Sequence, residues 1–370
     1  YYSIINNKIV ISSELKPILK YIKNISFNNS AFENLFINGY LDNNHYTFFK
    51  HVHSLEPGTY FEKNSKNIKF KKYWDIKNTI NQNNKKKNLK YLLEQSIQKH
   101  LLSDREIGLF LSGGTDSSII LELVNKYLNY KIKTFTYDFK GSGAFGESTL
   151  AKKISSKYKL ENYTEIITPK YIVNNFEKLI EKLESPFTSI RLFGTDKLYK
   201  SSVKKKINVI IEGHGGDEMI GGYGYNLFPY LIDKSKPNIL NFEKKILETY
   251  NNMKNKKFSV NQYKFTLFNQ GLSTTDGMPF FNRDILNKRI KKDYKKITKL
   301  ILKYGCLKYS QIQDIENIKI PRVLKYSDKI SMSYGIETRV PLLDSKLFSY
   351  CFNLPNNKKF YKDSSRYIIK

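Results

Sequence analysis

A short apolar strand, a glycine-bearing turn and the start of an amphipathic helix follow one another at residues 109–118, LFLSGGTDSS. Gly113 and Gly114 can take backbone angles that other residues avoid, so consecutive amide groups can turn toward an anion. The first helical turn adds N–H groups without helical partners and the positive end of the helix dipole. Residues 119–128 continue with apolar side chains at helical spacing, which indicates one buried stripe. This order of elements predicts a nucleotide-binding loop.

An aspartate, Asp116, stands in this loop, and no Gly-Lys-Ser/Thr of the common phosphate-binding loop follows the glycines. A carboxylate beside phosphate oxygens requires a cation, and proteins hold Mg²⁺ with one or two carboxylates together with phosphate oxygens. Asp116 is therefore a predicted Mg²⁺ ligand, and a plain strand–turn–helix with a capping aspartate is the alternative. The predicted nucleotide-binding residues of the loop are Leu111, Ser112, Gly113, Gly114, Asp116, Ser117 and Ser118.

The SGGTDSS run at 112–118 resembles the SGGxDS signature of ATP pyrophosphatases. The resemblance implies that ATP is cleaved between its α- and β-phosphates, that a substrate is adenylated, and that the pyrophosphate lies in this loop.

A second glycine loop, EGHGGDEMIGGY at 212–223, follows an apolar strand predicted at 208–212. Residues 213–222 contain five glycines, two acids and one histidine, which exceeds what a turn requires. If the two strands are neighbours, Asp116 and Asp217 can face one Mg²⁺–pyrophosphate from two sides. The loop resembles the GEGxDExFGGY motif of asparagine synthetases, which implies roles in nucleotide binding for Gly215, Gly216 and Tyr223 and a catalytic role for Asp217.

Asparagine synthetases commonly have Glu where this chain has His214, and by resemblance that Glu lies near the acyl-adenylate and the ammonia. A histidine can accept a proton near neutral pH, so His214 is predicted to be catalytic. A hydrogen bond that only shapes the loop is the alternative.

A third stretch, PRVLKYSDKISM at 321–332 followed by ETRVPLLD at 337–344, resembles the LxxxDRxSMxxxxExRxPFLD signature of the same family. Lys329 stands where the family frequently has Arg, and a fixed cation there can neutralise charge on the departing pyrophosphate. Glu337 and Arg339 are interpreted as a structural ion pair. The closing SSRY at 364–367 resembles the KxxLR region.

The front of the chain is predicted to be a small β-rich unit, with a hairpin around residues 6–7, a helix at 31–36 and a strand after the turn at 57–58. SELKPIL, the GY at 39–40, LEPGTY and KKYWD resemble the end of the Ntn-type glutaminase domain of asparagine synthetases. That glutaminase uses an N-terminal cysteine, which this sequence does not contain, so we expect a fragment or another source of ammonia or amine. His45, His51 and His53 are interpreted as surface histidines, not as a metal site.

These patterns predict two domains and a linker: the end of the glutaminase-like unit at 1–76, a linker rich in Asn, Gln and Lys at 77–88, and the synthetase domain at 89–370. In the last of these, apolar strands alternate with helices, which predicts an α/β doubly wound parallel sheet with its ligand at the carboxyl ends of the strands. The resemblance implies an adenine-nucleotide α-hydrolase-like fold with a helical C-terminal part. The predicted strands are 107–111, 133–139, 163–168 and 208–212, and the predicted helices are 89–102, 147–158 and 171–184.

The formal net charge of +29 is consistent with nucleic-acid binding, but only seven of the 63 basic residues are arginines and the lysines are scattered. Because arginine makes the bidentate contacts that nucleic acids favour, we expect no nucleic-acid partner.

No apolar run is long enough to span a membrane and no signal peptide is recognisable, so a cytoplasmic protein is expected. Cys306 and Cys351 are isolated and are predicted to be buried thiols.

Together the three motifs imply an ATP- and Mg²⁺-dependent synthetase that adenylates an aspartate-like carboxylate and transfers ammonia from glutamine, as glutamine-hydrolysing asparagine synthases do; a homodimer is compatible with this. Lasso-peptide cyclases, β-lactam synthetases and sugar amidotransferases share the chemistry and remain alternatives. tRNA-modifying ATP pyrophosphatases are a remote alternative, because they share SGGxDS but lack the Asp217 motif and the SELKPIL front.

Overall fold

The computed structural model describes residues 1–370 except 6–7, 39–45, 65–66, 81–87, 142–145, 188, 254–259, 261–282, 362–363 and 366–370. The predicted turn at 6–7, the GY at 39–40, His45, most of the predicted linker and the end of the SSRY run lie outside the described residues.

The described β-strands are β1 (Tyr2–Ile5), β2 (Lys8–Ile11), β3 (Thr59–Lys63), β4 (Ile68–Lys72), β5 (Ile107–Phe110), β6 (Lys133–Phe139), β7 (Asn162–Ile167), β8 (Val209–Ile211), β9 (Glu337–Arg339), β10 (Phe360–Tyr361) and β11 (Ser364–Ser365). The described α-helices are α1 (Leu15–Tyr21), α2 (Asn29–Asn38), α3 (Leu89–His100), α4 (Thr115–Tyr127), α5 (Glu147–Lys157), α6 (Pro169–Leu183), α7 (Arg191–Lys204), α8 (Gly216–Ile220), α9 (Leu227–Lys234), α10 (Phe242–Asn252), α11 (Arg283–Tyr304), α12 (Cys306–Gln313), α13 (Ile320–Met332), α14 (Ser345–Phe352) and α15 (Asn356–Lys359). Short 3₁₀ helices lie at Ile76–Thr79, Gly224–Asn226 and Pro341–Leu343, and a π-helical turn lies at Asp314–Ile318.

Five of the described strands form one parallel sheet in the order β7-β6-β5-β8-β9. This confirms the prediction of a parallel sheet whose strands alternate with helices. Leu109 of β5 pairs with Ile211 of β8, and Ile211 pairs in turn with Arg339 of β9. The loops that follow β5 and β8 therefore leave the sheet at the same edge, side by side.

Burial explains why these two strands lie at the centre of the sheet. All three residues of β8 are buried, and so are the first three of β5. Strands covered on both faces are expected to be continuously apolar, as these are. Helix α4 packs through Ile120, Leu121 and Val124, which are fully buried, and so the predicted amphipathic helix after the first loop is confirmed.

Helix α6 begins at Pro169, two residues before the predicted start, because the side chain of Thr168 accepts a hydrogen bond from the Tyr171 amide at its N-terminus. Leu179 and Leu183 of its apolar face are buried, whereas Val173 is 74% exposed. The predicted apolar side of this helix is thus only partly buried.

The chain divides into two compact units, one of Tyr1–Gln82 with Phe228–Arg322 and the other of Asn83–Leu227 with Val323–Lys370. In the first unit, β1 and β2 form the predicted N-terminal hairpin, and β3 and β4 form a second one. The parallel sheet and all residues of the candidate site belong to the second unit. The boundaries 1–76, 77–88 and 89–370 describe sequence domains and stay a prediction.

Both cysteines are free and buried, as expected. Burial raises the pKa of the Cys351 thiol to about 12. Among the described residues, no helix has both the length and the apolar character needed to cross a bilayer.

Candidate functional site

The loop between β5 and α4 turns at Gly113, whose φ of +76° lies in the region that favours glycine. A Cβ atom there would lie 2.7 Å from the Leu150 Cβ and 2.9 Å from the Ala151 amide nitrogen. Both the backbone angle and the close approach of α5 therefore require glycine. Leu111 itself is a buried core residue whose carbonyl accepts from the Thr136 hydroxyl at 2.6 Å, so only its backbone can contribute to a nucleotide site.

The loop's hydroxyl groups are directed back into the loop. The Ser112 and Ser117 hydroxyls lie 3.1 Å apart, and the Gly114 amide donates to Ser112 Oγ at 3.2 Å. The hydroxyls of Ser117 and Ser118 donate to the Gly114 carbonyl at 3.2 and 2.7 Å. These bonds hold the loop in shape, and they leave the amide groups of the first turn of α4 as the natural donors to an anion.

The loop after β8 packs directly on the first loop. A Cβ atom at Gly216 would lie 2.6 Å from Cγ of Asp116, and one at Gly213 would lie 3.3 Å from the Ser117 amide nitrogen. Asp217 follows Gly216, and since consecutive Cα atoms are about 3.8 Å apart, the Asp217 Cα lies at most about 8 Å from the Asp116 carboxyl carbon. These distances show that the two loops are in contact, as expected from the sequence.

The two aspartates fit the coordination that Mg²⁺ favours. Mg²⁺ in nucleotide sites is held by one or two carboxylates and otherwise by phosphate oxygens and water, so two aspartates are a sufficient set of protein ligands. Because residue 216 is a glycine, no side chain of that residue meets the Asp116 carboxylate. Within the described part of the chain, no group of three or more His, Cys, Asp or Glu residues is arranged to hold a metal by protein ligands alone.

His214 forms an ion pair with Glu212, its Nε2 lying 3.1 Å from Oε2 of the carboxylate. The His214 side chain is 41% exposed, whereas that of Glu212 is 4% exposed. Burial opposes protonation of the imidazole, but the charge and hydrogen bond of Glu212, with further negative charge from Glu218 and Asp116, raise the pKa of His214 above its ordinary value of 6.5. The predicted catalytic role of His214 stays a prediction, and the structure adds that the imidazole is paired with a buried carboxylate.

Glu212 is held by two hydroxyl groups besides His214. Tyr199 donates to Oε1 at 2.8 Å and Ser327 donates to Oε2 at 2.6 Å. The Tyr199 hydroxyl also lies 2.8 Å from the hydroxyls of Ser327 and Thr338. Burial works against ionisation of Glu212, yet His214 and the hydrogen bonds from Ser327 and Tyr199 lower the pKa of this carboxyl group.

A second buried acid, Glu218, accepts a hydrogen bond from the Tyr223 hydroxyl at 2.6 Å. Burial raises the pKa of Glu218, and the Tyr223 hydrogen bond opposes this rise. The Tyr223 ring stacks on Tyr225 at 5.2 Å between centroids. Tyr223 thus links the end of the second loop to Glu218 and to Tyr225.

Lys329 lies on α13 and is 3% exposed, and its ammonium group forms an ion pair with the equally buried Glu184. Its assignment as a cation for pyrophosphate stays a prediction. In this structure its positive charge is paired with the Glu184 carboxylate. Glu337 and Arg339 form the predicted ion pair at 2.7 Å. Arg339 also donates to the His100 and Leu102 carbonyls at 2.8 and 2.7 Å, so it ties β9 to the end of α3.

Comparison with known protein families matches residues 88–370 to the asparagine synthase model and residues 1–74 to the glutamine amidotransferase domain. The chain belongs to the asparagine synthase family. The match covers the parallel sheet, both glycine loops and the stretch that carries Lys329.

Curated relatives include asparagine synthetase [glutamine-hydrolyzing] 1 of Bacillus subtilis, 25% identical over 100% of this chain and 60% of that protein. The second such enzyme of Bacillus subtilis is 22% identical over 96% of this chain and 47% of that protein. That of Gallus gallus is 29% identical over 38% of this chain and 26% of that protein. The chain therefore spans about 60% or less of the length of these asparagine synthetases.

Glu212 and its partners are the functional candidates that sequence reasoning did not assign. The available signal was an acid directly after a buried apolar strand and two residues before a histidine in a glycine loop. Nothing in the sequence connects Glu212 with Tyr199, Ser327 or Thr338, which come from α7, α13 and β9.

Proposed function

We propose that this chain is an ATP-dependent, amide-forming ligase that converts a carboxylate into an acyl-adenylate and joins it to ammonia. Residues 89–370 are the proposed synthetase domain, and residues 1–76 the proposed end of a glutaminase domain, with 77–88 as the linker. The observation that carries the proposal is the contact between the two glycine loops, where Gly216 leaves room for the carboxyl group of Asp116.

The first loop binds the phosphates in this proposal. Amide groups at the start of α4 point toward the anion, and the backbone of residues 111–114 curves around it, because Gly113 has a positive φ. Ser112, Ser117 and Ser118 shape the loop through their hydroxyls and can exchange these bonds for phosphate oxygens. The loop at 213–216 closes the opposite side.

Asp116 and Asp217 are the proposed Mg²⁺ ligands, and Asp217 is also a proposed catalytic residue. Mg²⁺ would supply charge neutralisation on the leaving pyrophosphate. The protein's own contribution is to place both aspartates on loops in contact with each other, because the glycine at 216 has no side chain to displace the Asp116 carboxylate.

His214 is the proposed proton acceptor when ammonia attacks the adenylate. The negative charge of Asp116 contributes to the raised pKa of His214, which supports an imidazole close to the first loop. Lys329 is the proposed second cation of the site, on condition that its pair with Glu184 opens or shares its charge with the pyrophosphate.

Aspartate is the proposed carboxylate and glutamine the proposed source of ammonia, in line with the names of the curated relatives and with the glutamine amidotransferase match at 1–74. Cyclisation of a lasso peptide or a β-lactam, and amidation of a sugar, use the same steps and remain the alternatives. A cytoplasmic location, a homodimer and the absence of a nucleic-acid substrate belong to the same proposal.

The test is a product analysis of the full chain with ATP, Mg²⁺, aspartate and either glutamine or ammonium chloride. The proposal expects AMP and pyrophosphate in amounts equal to the asparagine formed. Formation of ADP and phosphate would contradict it. AMP and pyrophosphate without asparagine would keep the adenylation and replace aspartate by one of the alternative substrates.

A further inference from the structure

The carboxylate of Glu212 holds one nitrogen of the His214 ring and is itself held at both oxygens. Oε2 contacts His214 Nε2 at 3.1 Å and accepts from Ser327 at 2.6 Å, and Oε1 accepts from Tyr199 at 2.8 Å. Since Tyr199 is fully buried and Ser327 nearly so, the carboxylate has little freedom to turn. A ring bound to a fixed oxygen has a fixed orientation and a fixed tautomer.

We propose that Glu212 is a positioning residue for His214, which keeps the proton on Nε2 and leaves Nδ1 as the nitrogen that takes up a proton during amide formation. In that step the amine nitrogen forms a bond to the acyl carbon, the bond from that carbon to the AMP oxygen breaks with its electron pair on AMP, and the proton of the amine moves to Nδ1. The imidazolium that results is paired with Glu212. This inference rests on the proposed function for the amide-forming step alone.

The surroundings favour a charged imidazole. Among the described residues, the charges that raise the pKa of His214 are those of Glu212 on its own loop, Glu218 in α8 and Asp116 on α4, and all three are acids. A buried carboxylate in direct contact is the strongest of these, because its charge is the least screened by water. Glu212 thereby makes His214 a stronger base than a free histidine, at the cost that the ring is neutral only at higher pH.

The first test is a nuclear magnetic resonance titration of the histidine side chains in the full chain without ATP or substrate. The sequence has five histidines, and the His214→Gln variant assigns the signal by its loss. His214 is expected to titrate above 6.5 in the wild type. A value at or below 6.5 would overturn the proposal, and this measurement needs no folded Glu212 variant.

The second test compares the Glu212→Gln variant with Thr338→Val. The amide in Glu212→Gln keeps the shape but removes the charge, so the pKa of His214 is expected to fall by about one to two units. Thr338 contacts the Tyr199 hydroxyl, whereas no contact between Thr338 and Glu212 is found among the described residues, so Thr338→Val is the matched control and should leave that pKa unchanged. His100, whose Nδ1 lies 2.8 Å from the Ser96 carbonyl, is the internal control.

The kinetic counterpart separates positioning from a general structural role. In Glu212→Gln the pH at which amide formation loses half its rate is expected to shift down together with the His214 pKa, while pyrophosphate exchange changes little. An unchanged His214 pKa in folded Glu212→Gln would contradict the role of Glu212. If the wild type shows the expected titration but makes no acyl-adenylate, the proposed function fails and the pairing stands.

Discussion

A side chain at Gly216 would meet the carboxyl group of Asp116, since an added Cβ would lie 2.6 Å from its Cγ. Gly224 lies eight positions further along the chain, and an added Cβ there has no atom within 4 Å. Alanine at Gly224 thus adds a methyl group that contacts nothing, whereas alanine at Gly216 adds one against Asp116. Comparing the two variants isolates the effect of the contact at the site.

We expect Gly216→Ala to lower ATP–pyrophosphate exchange about a hundredfold, because a displacement of a catalytic group by about 1 Å costs on that order. Gly224→Ala should stay within about twofold, as surface changes away from special features usually do. Steady-state exchange assays on both variants give the comparison. Equal activities would show that the contact between the loops does not matter for the reaction.

The pH dependence of stability tests the His214–Glu212 pair without any substrate. The pKa of His214 is raised in the folded chain, so its contribution to stability is complete below about 6.5 and is lost as the pH rises through the folded value. The pKa of Glu212 is lowered, so its contribution is lost only as the pH falls below about 4.5.

The free energy of unfolding should therefore differ more between wild type and His214→Gln at pH 6 than at pH 9. The difference at pH 6 is expected to be on the order of 1 kcal/mol, because the half-exposed imidazole is partly screened by water. Urea denaturation at both pH values measures it. A difference that does not change with pH would show that Glu212 does not raise the pKa of His214.

The turn between β5 and α4 could be predicted from the sequence, because the strand, the glycines and the helix are consecutive in the chain. The environment of His214 was not, since its charge depends on Glu212 and on hydroxyls from three distant segments. Lys329 shows the same limit. The sequence predicts a cation near the phosphates, which stays a prediction, but it does not reveal the partner of Lys329 in this structure, Glu184, 145 residues earlier in the chain.

At the scale of elements, α13 is connected to the end of α6 by the pair Lys329–Glu184, whose side chains are 3% and 4% exposed. Glu184 follows α6 in a left-handed conformation with φ of +53°. Two charges removed from water are stable only together, so the loss of one leaves the other without compensation.

Lys329→Met is expected to lower the free energy of unfolding by about 3–5 kcal/mol for this reason. The double variant Lys329→Met/Glu184→Gln should recover part of the loss. Lys126→Met is the control, because Lys126 pairs with Glu94 at 2.8 Å on the surface and should contribute far less. A loss for Lys329→Met no larger than the control's would contradict the assignment of a buried pair.

The elements themselves were largely predictable. Apolar runs alternating with amphipathic stretches predicted the parallel sheet, and β6 has the predicted bounds of 133–139. The start of α6 was predicted two residues late because the cap at Thr168 was not considered. The partial exposure of its apolar face could not be predicted, since periodicity identifies an apolar side and not what covers it.

At the scale of the whole molecule, the net charge of +29 affects every encounter with a polyanion. We expect nucleic acids to bind weakly and without sequence preference. Binding should fall by about 10³-fold or more between 50 and 200 mM salt, because it depends on counterion release. Filter binding of tRNA over this range measures it. Sequence-selective retention of a tRNA at physiological salt would contradict the absence of a nucleic-acid substrate.

The central claim is that the apposed loops activate a carboxylate with ATP. The most direct measurement is carboxylate-dependent exchange of labelled pyrophosphate into ATP by the full chain in the presence of Mg²⁺. It is compared with Asp116→Ala, whose fold should be intact because Asp116 lies in the first turn of α4 and is not a buried core residue. We expect exchange that requires the carboxylate and disappears in folded Asp116→Ala; exchange at the wild-type rate in that variant would contradict the account.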